Sequence, residues 1–228
     1  MKLRLIQRRP ETPDVETFIF EPDQLVQWQP GQYMHYVFPH DSEDDRGHER
    51  WFTIAAAPFE NHLQITTRFT PDKGSSFKKA LKALQVGQTI EADGPKGKFI
   101  ITEPNKTHAL VAGGIGITPY RSMLAQMDHD GQDLKIELLY ANRDDNFVFG
   151  AELERIEKAH HNFRIHKFVG ERHIEAADLK PYVDDPQAII YLSGPEPMVE
   201  AFEEMLQNMG LPEERLKTDF FPGYSPQY

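Results

Sequence analysis

The chain has 228 residues, with 36 Asp and Glu against 25 Lys and Arg, a net charge of -11. That excess of negative charge opposes general binding to nucleic acid or to an anionic membrane, so a small anionic ligand needs a local basic site. With no cysteine, a disulfide, a Cys-ligated zinc and a Cys-held iron-sulfur cluster are excluded, and redox chemistry needs another cofactor.

No apolar run approaches the roughly 20 residues that span a bilayer. The stretch "MKLRLIQRRP" alternates as a strand does and lacks the apolar core of a signal peptide. The expectation is a cytoplasmic protein without membrane insertion. A chain of this length buries one large core or two modest ones, so the domain count rests on pattern. Through about residue 102 the sequence reads as short strands, "KLRLIQRR", "VETFIFEP", "QYMHYVFP", "RWFTIAAAP", "HLQITTRFT" and "QTIEADG", with one helix, "SFKKALKAL". This pattern predicts a small antiparallel barrel. From Thr107 the strands "THALVAG", "LKIELLYA", "FRIHKFV" and "AIIYLSG" alternate with the helical patterns "PYRSMLAQM", "GAELERIEKAH" and "PEPMVEAFEEMLQNMG". Such alternation predicts βαβ units on a parallel sheet. The expected architecture is therefore a β-barrel domain over 1-102 and an α/β domain over 103-228, with the boundary in "ITEPNK". The tail "LKTDFFPGYSPQY" reads as a last strand, a Pro-Gly turn and a polar end.

Residues 40–49, "HDSEDDRGHE", read as a solvated loop rather than a metal site. The ten histidines show neither H-x-x-x-H nor H-E-x-x-H spacing, so no metal is expected. The stretch "VAGGIGITPYRSML" places Gly113, Gly114 and Gly116 between a strand and a helix. It is not a P-loop, since no Gly-Lys-Ser/Thr follows, and Pro119 stands where G-x-G-x-x-G has its third glycine. Thr118 is the expected N-cap and Pro119 the first helical residue. The glycines would let a pyrophosphate approach the backbone and the helix amides, although a tight structural turn reads the same residues. A second such turn, Ser193-Gly194-Pro195, follows another strand of the same sheet. Two turns at C-terminal strand ends face one crevice, the usual ligand position in open α/β sheets. In the barrel, Gly74, Ser75 and Ser76 open a helix flanked by Lys73, Lys78 and Lys79, and Arg50 stands near Thr53. Amides, hydroxyls and charge at these places suit phosphate oxygens, with a capped helix and solvated lysines as the even alternative for the first.

In this order along nearly the whole chain, "QPGQY", "RWFT", "GSSF", "GPKGKF", "GGIGITP" and "SGPEPM" resemble the PGQ, R-x-Y-S/T, G-x-x-S, G-P-x-G-x-F, nicotinamide-nucleotide and C-G-P-x-x-M segments of the ferredoxin-NADP reductase superfamily. The resemblance implies a barrel that binds FAD, with FMN as the alternative, and an α/β domain that binds NADPH or NADH. In the stretch Arg50-Trp51-Phe52-Thr53, it places Arg50 on the flavin pyrophosphate, Phe52 beside the isoalloxazine and Thr53 near its N5. Ser75 and Ser76 would cap the phosphates after Gly74. Gly114, Gly116, Thr118, Gly194 and Pro195 would hold the nucleotide. Phe52 departs from the usual tyrosine, "GSSF" is shorter than some phosphate loops of the family, and Ser193 replaces the cysteine beside the nicotinamide.

The chemistry implied is hydride transfer from nicotinamide C4 to flavin N5, governed by proximity and orientation, and then release of single electrons. Thr53, Ser193 and Phe221 are the expected catalytic positions, Phe221 as an aromatic ring over the flavin with Asp219 two residues earlier on the same face. Tyr224 and Tyr228 would cover the adenine or be solvated. The acceptor implied is a separate ferredoxin, flavodoxin or oxygenase component. Reduction of free flavin or ferric chelates and a non-catalytic relay or nucleotide-sensing subunit are the alternatives. At the end of the second α/β strand, "YANRDD" carries both charge signs. Arg143, helped by Lys167 or Arg172, favours NADPH because Arg pairs well with a 2'-phosphate.

Overall fold

The computed structural model describes residues 1–70 and 74–221, with the backbone alone at Phe221. The chain divides into two compact units, Met1–Ile100 and Ile101–Tyr228.

The first unit is one antiparallel sheet of six strands, β1 (Lys2–Thr12), β2 (Val15–Pro22), β3 (Tyr33–Val37), β4 (Glu49–Thr53), β5 (Leu63–Arg68) and β6 (Thr89–Lys96), in the order β4-β3-β6-β1-β2-β5. Period-two alternation sets its faces: Leu3 and Leu5 are buried while Lys2 and Arg4 are exposed. "RWFTIAAAP" leaves the ladder earlier than its apolar run predicts, at Thr53. Its next residues cross between the two edges, the Ile54 amide donating to Gln32 (2.9 Å) and the Ala55 amide to Gln64 (2.9 Å). These bonds draw the β3 side and β5 together, as a barrel requires. Helix α1 (Ser76–Ala83) presents Phe77 and Leu81, one turn apart, to a core containing Phe18, Phe20, Met34 and Tyr36. Burying a side chain such as Phe77 contributes about 1.5–3 kcal/mol.

The second unit alternates β7 (His108–Gly113), α2 (Ile117–His129), β8 (Ile136–Asn142), α3 (Gly150–Ala159), β9 (Phe163–Val169), α4 (Ala176–Asp184), β10 (Ile189–Pro195), α5 (Glu196–Asn208) and β11 (Leu216–Phe221). All neighbours are parallel, in the order β11-β10-β7-β8-β9. Every residue of "HALVAG" is buried, as expected of a central parallel strand covered on both faces. The chain builds outward from β7 through β8 to β9, then returns to β7's other side with β10. The switch point therefore lies between β7 and β10.

The sequence reading did not anticipate α4. "AADLKPYVD" carries Pro181 and fully buries only Leu179, so its apolar period is faint, but a reciprocal capping pair of Glu175 and Asp178 starts it. Helix α2 also begins earlier than expected. Gly114–Gly116 forms a 3-10 turn that runs directly into it, Gly116 is the N-cap, and Thr118 lies inside the first turn. The Thr118 hydroxyl donates to the Ile115 carbonyl (3.2 Å) instead of accepting from a helix amide. Among the described residues, no helix is long and apolar enough to cross a membrane.

Candidate functional site

In the α/β unit the two glycine turns meet at the switch point. Ser193 on β10 is in register with Ala112 on β7, and the turn after β7 packs directly onto the backbone of Ser193 and Gly194. A Cβ on Gly116 would lie 2.1 Å from the Ser193 carbonyl oxygen and 2.8 Å from Gly194 Cα. One on Gly113 or Gly194 would lie 2.3 or 2.5 Å from Met198 side-chain atoms. At Gly116 the neighbour is backbone and only glycine fits, at Gly113 and Gly194 the mobile end of Met198 would have to shift, and Gly114 adds a left-handed φ of 52°. The two glycine turns are thus packed against each other at the starts of α2 and α5.

Two tyrosines missed by motif reading hold this turn. Tyr140 on β8 donates to the Gly114 carbonyl at 3.2 Å, and Tyr120 on α2 donates to the Val111 carbonyl at 3.1 Å. Both are buried aromatics whose hydroxyls need a partner, a signal that strand and helix periodicity does not carry. Among the described residues the Ser193 hydroxyl has no hydrogen-bond partner, although the residue is wholly buried. Beside it in register on β11 is Asp219, whose carboxyl burial pushes up to about 7. At the end of β11 the Phe221 backbone pairs with Pro195. Tyr224 and Tyr228 lie outside the described residues.

At the end of β8, Asn142 braces the following loop by donating to the carbonyls of Asp144 (2.9 Å) and Asn146 (3.1 Å). Arg143 points outward, 3.4 Å from the Asp144 carboxylate. Its two proposed helpers are engaged elsewhere: Lys167 pairs with Glu154 and lies over the Phe147 ring, and Arg172 lies over Phe168.

In the barrel unit, Arg50 and Phe52 share one face of β4 and Trp51 takes the other. Phe52 packs between Tyr36 and Phe77, with ring centroids at 5.8 and 5.9 Å. Trp51 is half exposed and stacks on His35 at 4.4 Å, so the structure does not bring it to the Arg50 face. Thr53 is buried at the strand end. The Arg50 guanidinium lies over the Phe77 ring, 5.5 Å from its centroid, and its Nη1 donates to the carbonyls of Arg46 (2.7 Å) and Gly47 (3.3 Å). Its Nη2 is buried without a hydrogen bond among the described residues. Ser75 caps α1, accepting from the Lys78 amide at 3.3 Å. The Lys78 ammonium turns away to the Arg68 carbonyl, and Lys73 lies outside the described residues.

Residues 40–49 are a mostly exposed loop, pinned at Asp44. Asp44 and Ser76 bond reciprocally, the Ser76 amide donating to Asp44 Oδ2 (2.8 Å) and the Asp44 amide to Ser76 Oγ (3.0 Å). Hydrogen bonds from Arg46 and from the Ser76 amide hold the Asp44 carboxyl far below the usual carboxylate range. A guanidinium nitrogen without a hydrogen bond among the described residues, the start of α1 and the Asp44 carboxylate are thus gathered at one place.

Two family models match the chain, the oxidoreductase FAD-binding domain over residues 2–101 and the oxidoreductase NAD-binding domain over residues 110–204. The chain belongs to the ferredoxin-NADP reductase superfamily. A flavohemoprotein of Xylella fastidiosa (strain 9a5c) is 26% identical over 230 residues, covering 94% of this chain and 57% of that protein. The glycine betaine monooxygenase reductase subunit of Chromohalobacter salexigens is 29% identical over 227 residues, covering 91% and 60%. The chain thus spans roughly three fifths of the length of these curated relatives. The flavohem-like FAD/NAD-binding domain of nitric oxide dioxygenase from Vibrio cholerae superposes with a TM-score of 0.83 at 17% identity, covering 96% of this chain and 98% of that one. Like other members of the superfamily, this oxidoreductase takes FAD and NAD(P)H.

Proposed function

We propose that the chain is an NAD(P)H-dependent flavoprotein reductase that passes electrons to a separate acceptor of the ferredoxin, flavodoxin or oxygenase-component kind. Bound FAD supplies the capacity to accept a hydride and release single electrons. Arg50 and the α1 N-terminus at Gly74, Ser75 and Ser76 hold its pyrophosphate, Phe52 flanks the ring system, and Thr53 lies near N5. Gly114, Gly116, Thr118, Gly194 and Pro195 hold the nicotinamide nucleotide, Ser193 lies beside its ring, and Phe221 covers the flavin face. Domain limits of 1-102 and 103-228 go with this reading.

The backbone contact between the two glycine turns at the β7–β10 switch point carries the proposal, because it brings two separate motifs together where open α/β sheets take their ligands. Arg143, outward-facing beside the second α/β strand, favours NADPH. The acceptor follows from the relatives, one of which is named as a monooxygenase reductase subunit. The test is an absorbance spectrum of the purified protein followed by anaerobic titration with NADPH and NADH and turnover with ferricyanide. Flavin absorbance bleached by nucleotide, with turnover, supports the reading. A protein that neither carries nor binds flavin overturns it, and failure to turn over ferricyanide leaves a relay subunit instead. Arg143→Ala should lower the ratio of kcat/KM for NADPH over NADH. Reduction of free flavin is the second reading, favoured by one observation: an anion of the protein itself occupies the place where flavin phosphate would bind.

A further inference from the structure

That anion has consequences of its own. Asp44 Oδ2 takes the amide of Ser76, the first residue of α1, while Asp44 Oδ1 lies 4.0 Å from Arg50 Nη2 without a hydrogen bond between them. The carboxylate therefore stands between the helix N-terminus and the guanidinium, the two groups assigned above to the pyrophosphate. A helix N-terminus satisfied by a carboxylate has one amide fewer for a phosphate oxygen. Two anions cannot share that place without strong mutual repulsion. Arg46 steadies the occupant, its Nη2 2.6 Å and its backbone amide 3.1 Å from the carboxylate oxygens. The Ser76 hydroxyl is also committed, accepting from the Asp44 amide. A phosphate that claims Ser76 must break both bonds.

We propose that Asp44 is a built-in stand-in anion for the flavin pyrophosphate, so that FAD loads by displacing this carboxylate and residues 40–49 move off the α1 N-terminus. The inference rests on the reading that Arg50 and α1 form the pyrophosphate site, and it adds a competitor that belongs to the chain. Flavin affinity is then set by the difference between two anions in one cradle. A chain with its own occupant holds flavin less tightly than the same cradle left open, and it avoids an uncompensated cationic site before flavin arrives.

The experiment is a titration of the flavin-stripped full chain, followed by quenching of flavin fluorescence, for the wild type, Asp44→Asn, Asp44→Ala and Arg50→Ala. Asparagine caps a helix about as well as aspartate, so Asp44→Asn keeps the loop's bond to Ser76 and removes only the charge. Both Asp44 variants should bind FAD about two- to fivefold more tightly, the scale of a charge at a helix N-terminus. Affinity for riboflavin, which has no phosphate, should be unchanged. Hydrogen exchange at the Asp44 and Ser76 amides should change when FAD binds the wild type and not when riboflavin does. Unchanged or weaker FAD binding in Asp44→Asn, with FAD binding lost in Arg50→Ala, overturns the stand-in role and leaves the site reading intact. Equal tightening for riboflavin also overturns it, since relief would then be steric. If Arg50→Ala binds FAD as the wild type does, the pyrophosphate site itself is misplaced and the inference falls with it.

Discussion

Two ionisable groups of the α/β unit, the half-buried Asp219 and the buried His108, should give its stability opposing pH slopes over one window. Burial pushes the Asp219 carboxyl from 3.8 up to about 7. His108 is wholly buried at the start of β7, and burial lowers its pKa from 6.5 to about 4. Between pH 4 and 7 the folded state holds a proton on Asp219 that the unfolded chain has given up. The associated stability is complete below about 3.8 and is lost as pH rises through 7. For His108 the unfolded chain gains the proton first, so its contribution is complete above about 6.5 and is lost as pH falls towards 4. At 1.36 kcal/mol per pKa unit the upper figures are roughly 4 kcal/mol for Asp219 and roughly 3 kcal/mol for His108, of opposite slope. The wild-type contributions should largely cancel from about pH 4 to 6.5, and single variants should expose them. Urea unfolding followed by circular dichroism at several pH values checks this. Asp219→Asn should gain stability over the wild type progressively as pH rises from about 4 to 7.5, and His108→Phe should gain it as pH falls below about 6.5. A difference for Asp219→Asn that is the same at both ends would show that the carboxyl ionises normally in the fold and would refute the argument.

At Ser193, replacement by Ala should raise stability by about 1 kcal/mol, because it removes a buried hydroxyl without a partner. Differential scanning calorimetry reads this as about 2–4 °C in Tm. Ser193→Cys should speed flavin reduction in stopped flow, since a more polarizable group favours the productive stack. Tyr140→Phe loses the bond to the Gly114 carbonyl and should raise KM for nucleotide about two- to tenfold with kcat little changed, the cost of about one hydrogen bond. Gly116→Ala should cost about 3 kcal/mol or more, since the new methyl meets the Ser193 carbonyl and backbone must part. Phe221→Ala should lower KM for both nucleotides and strengthen the nicotinamide–flavin charge-transfer band; loss of stability with both unchanged would make it a core residue.

The architecture was legible because both units obey simple periods. Alternation in "KLRLIQRR" and the uninterrupted apolar run of "HALVAG" mark a one-sided and a two-sided strand. Where local chemistry overrode period, the reading slipped. Ile54 to Ala57 are as buried as a strand interior, yet they carry the chain between sheet edges, and no local signal distinguishes the two. Thr118 has the right residue type for an N-cap, but the 3-10 turn at Gly114–Gly116 had already started the helix. The site was legible where it consists of glycines, whose absent side chain is itself information. The Tyr140 and Asp44 contacts were hidden because each depends on a partner 26 or 32 residues away in the chain.

Each unit leaves buried polar capacity unspent beside its motif, the Arg50 Nη2 in one and the Ser193 hydroxyl in the other. An unsatisfied buried donor costs roughly 1–3 kcal/mol, a considerable part of a domain's net stability. His62 and His108 carry such atoms away from the motifs, so an orphan alone does not mark a site. What distinguishes Arg50 is that its neighbours are also arranged for an anion, with a capped helix start and a carboxylate already drawn in. A ligand that satisfies such a group binds the folded state and not the unfolded one, and therefore stabilises it in proportion to the logarithm of its concentration over Kd. FAD should accordingly protect the barrel unit and its β4 amides against exchange, and nucleotide should protect the turn after β7. Protection by each ligand confined to its own unit would show that the two cradles are energetically independent. Protection of both units by either ligand would show that occupancy of one cradle is felt at the other, a coupling that must then be reciprocal.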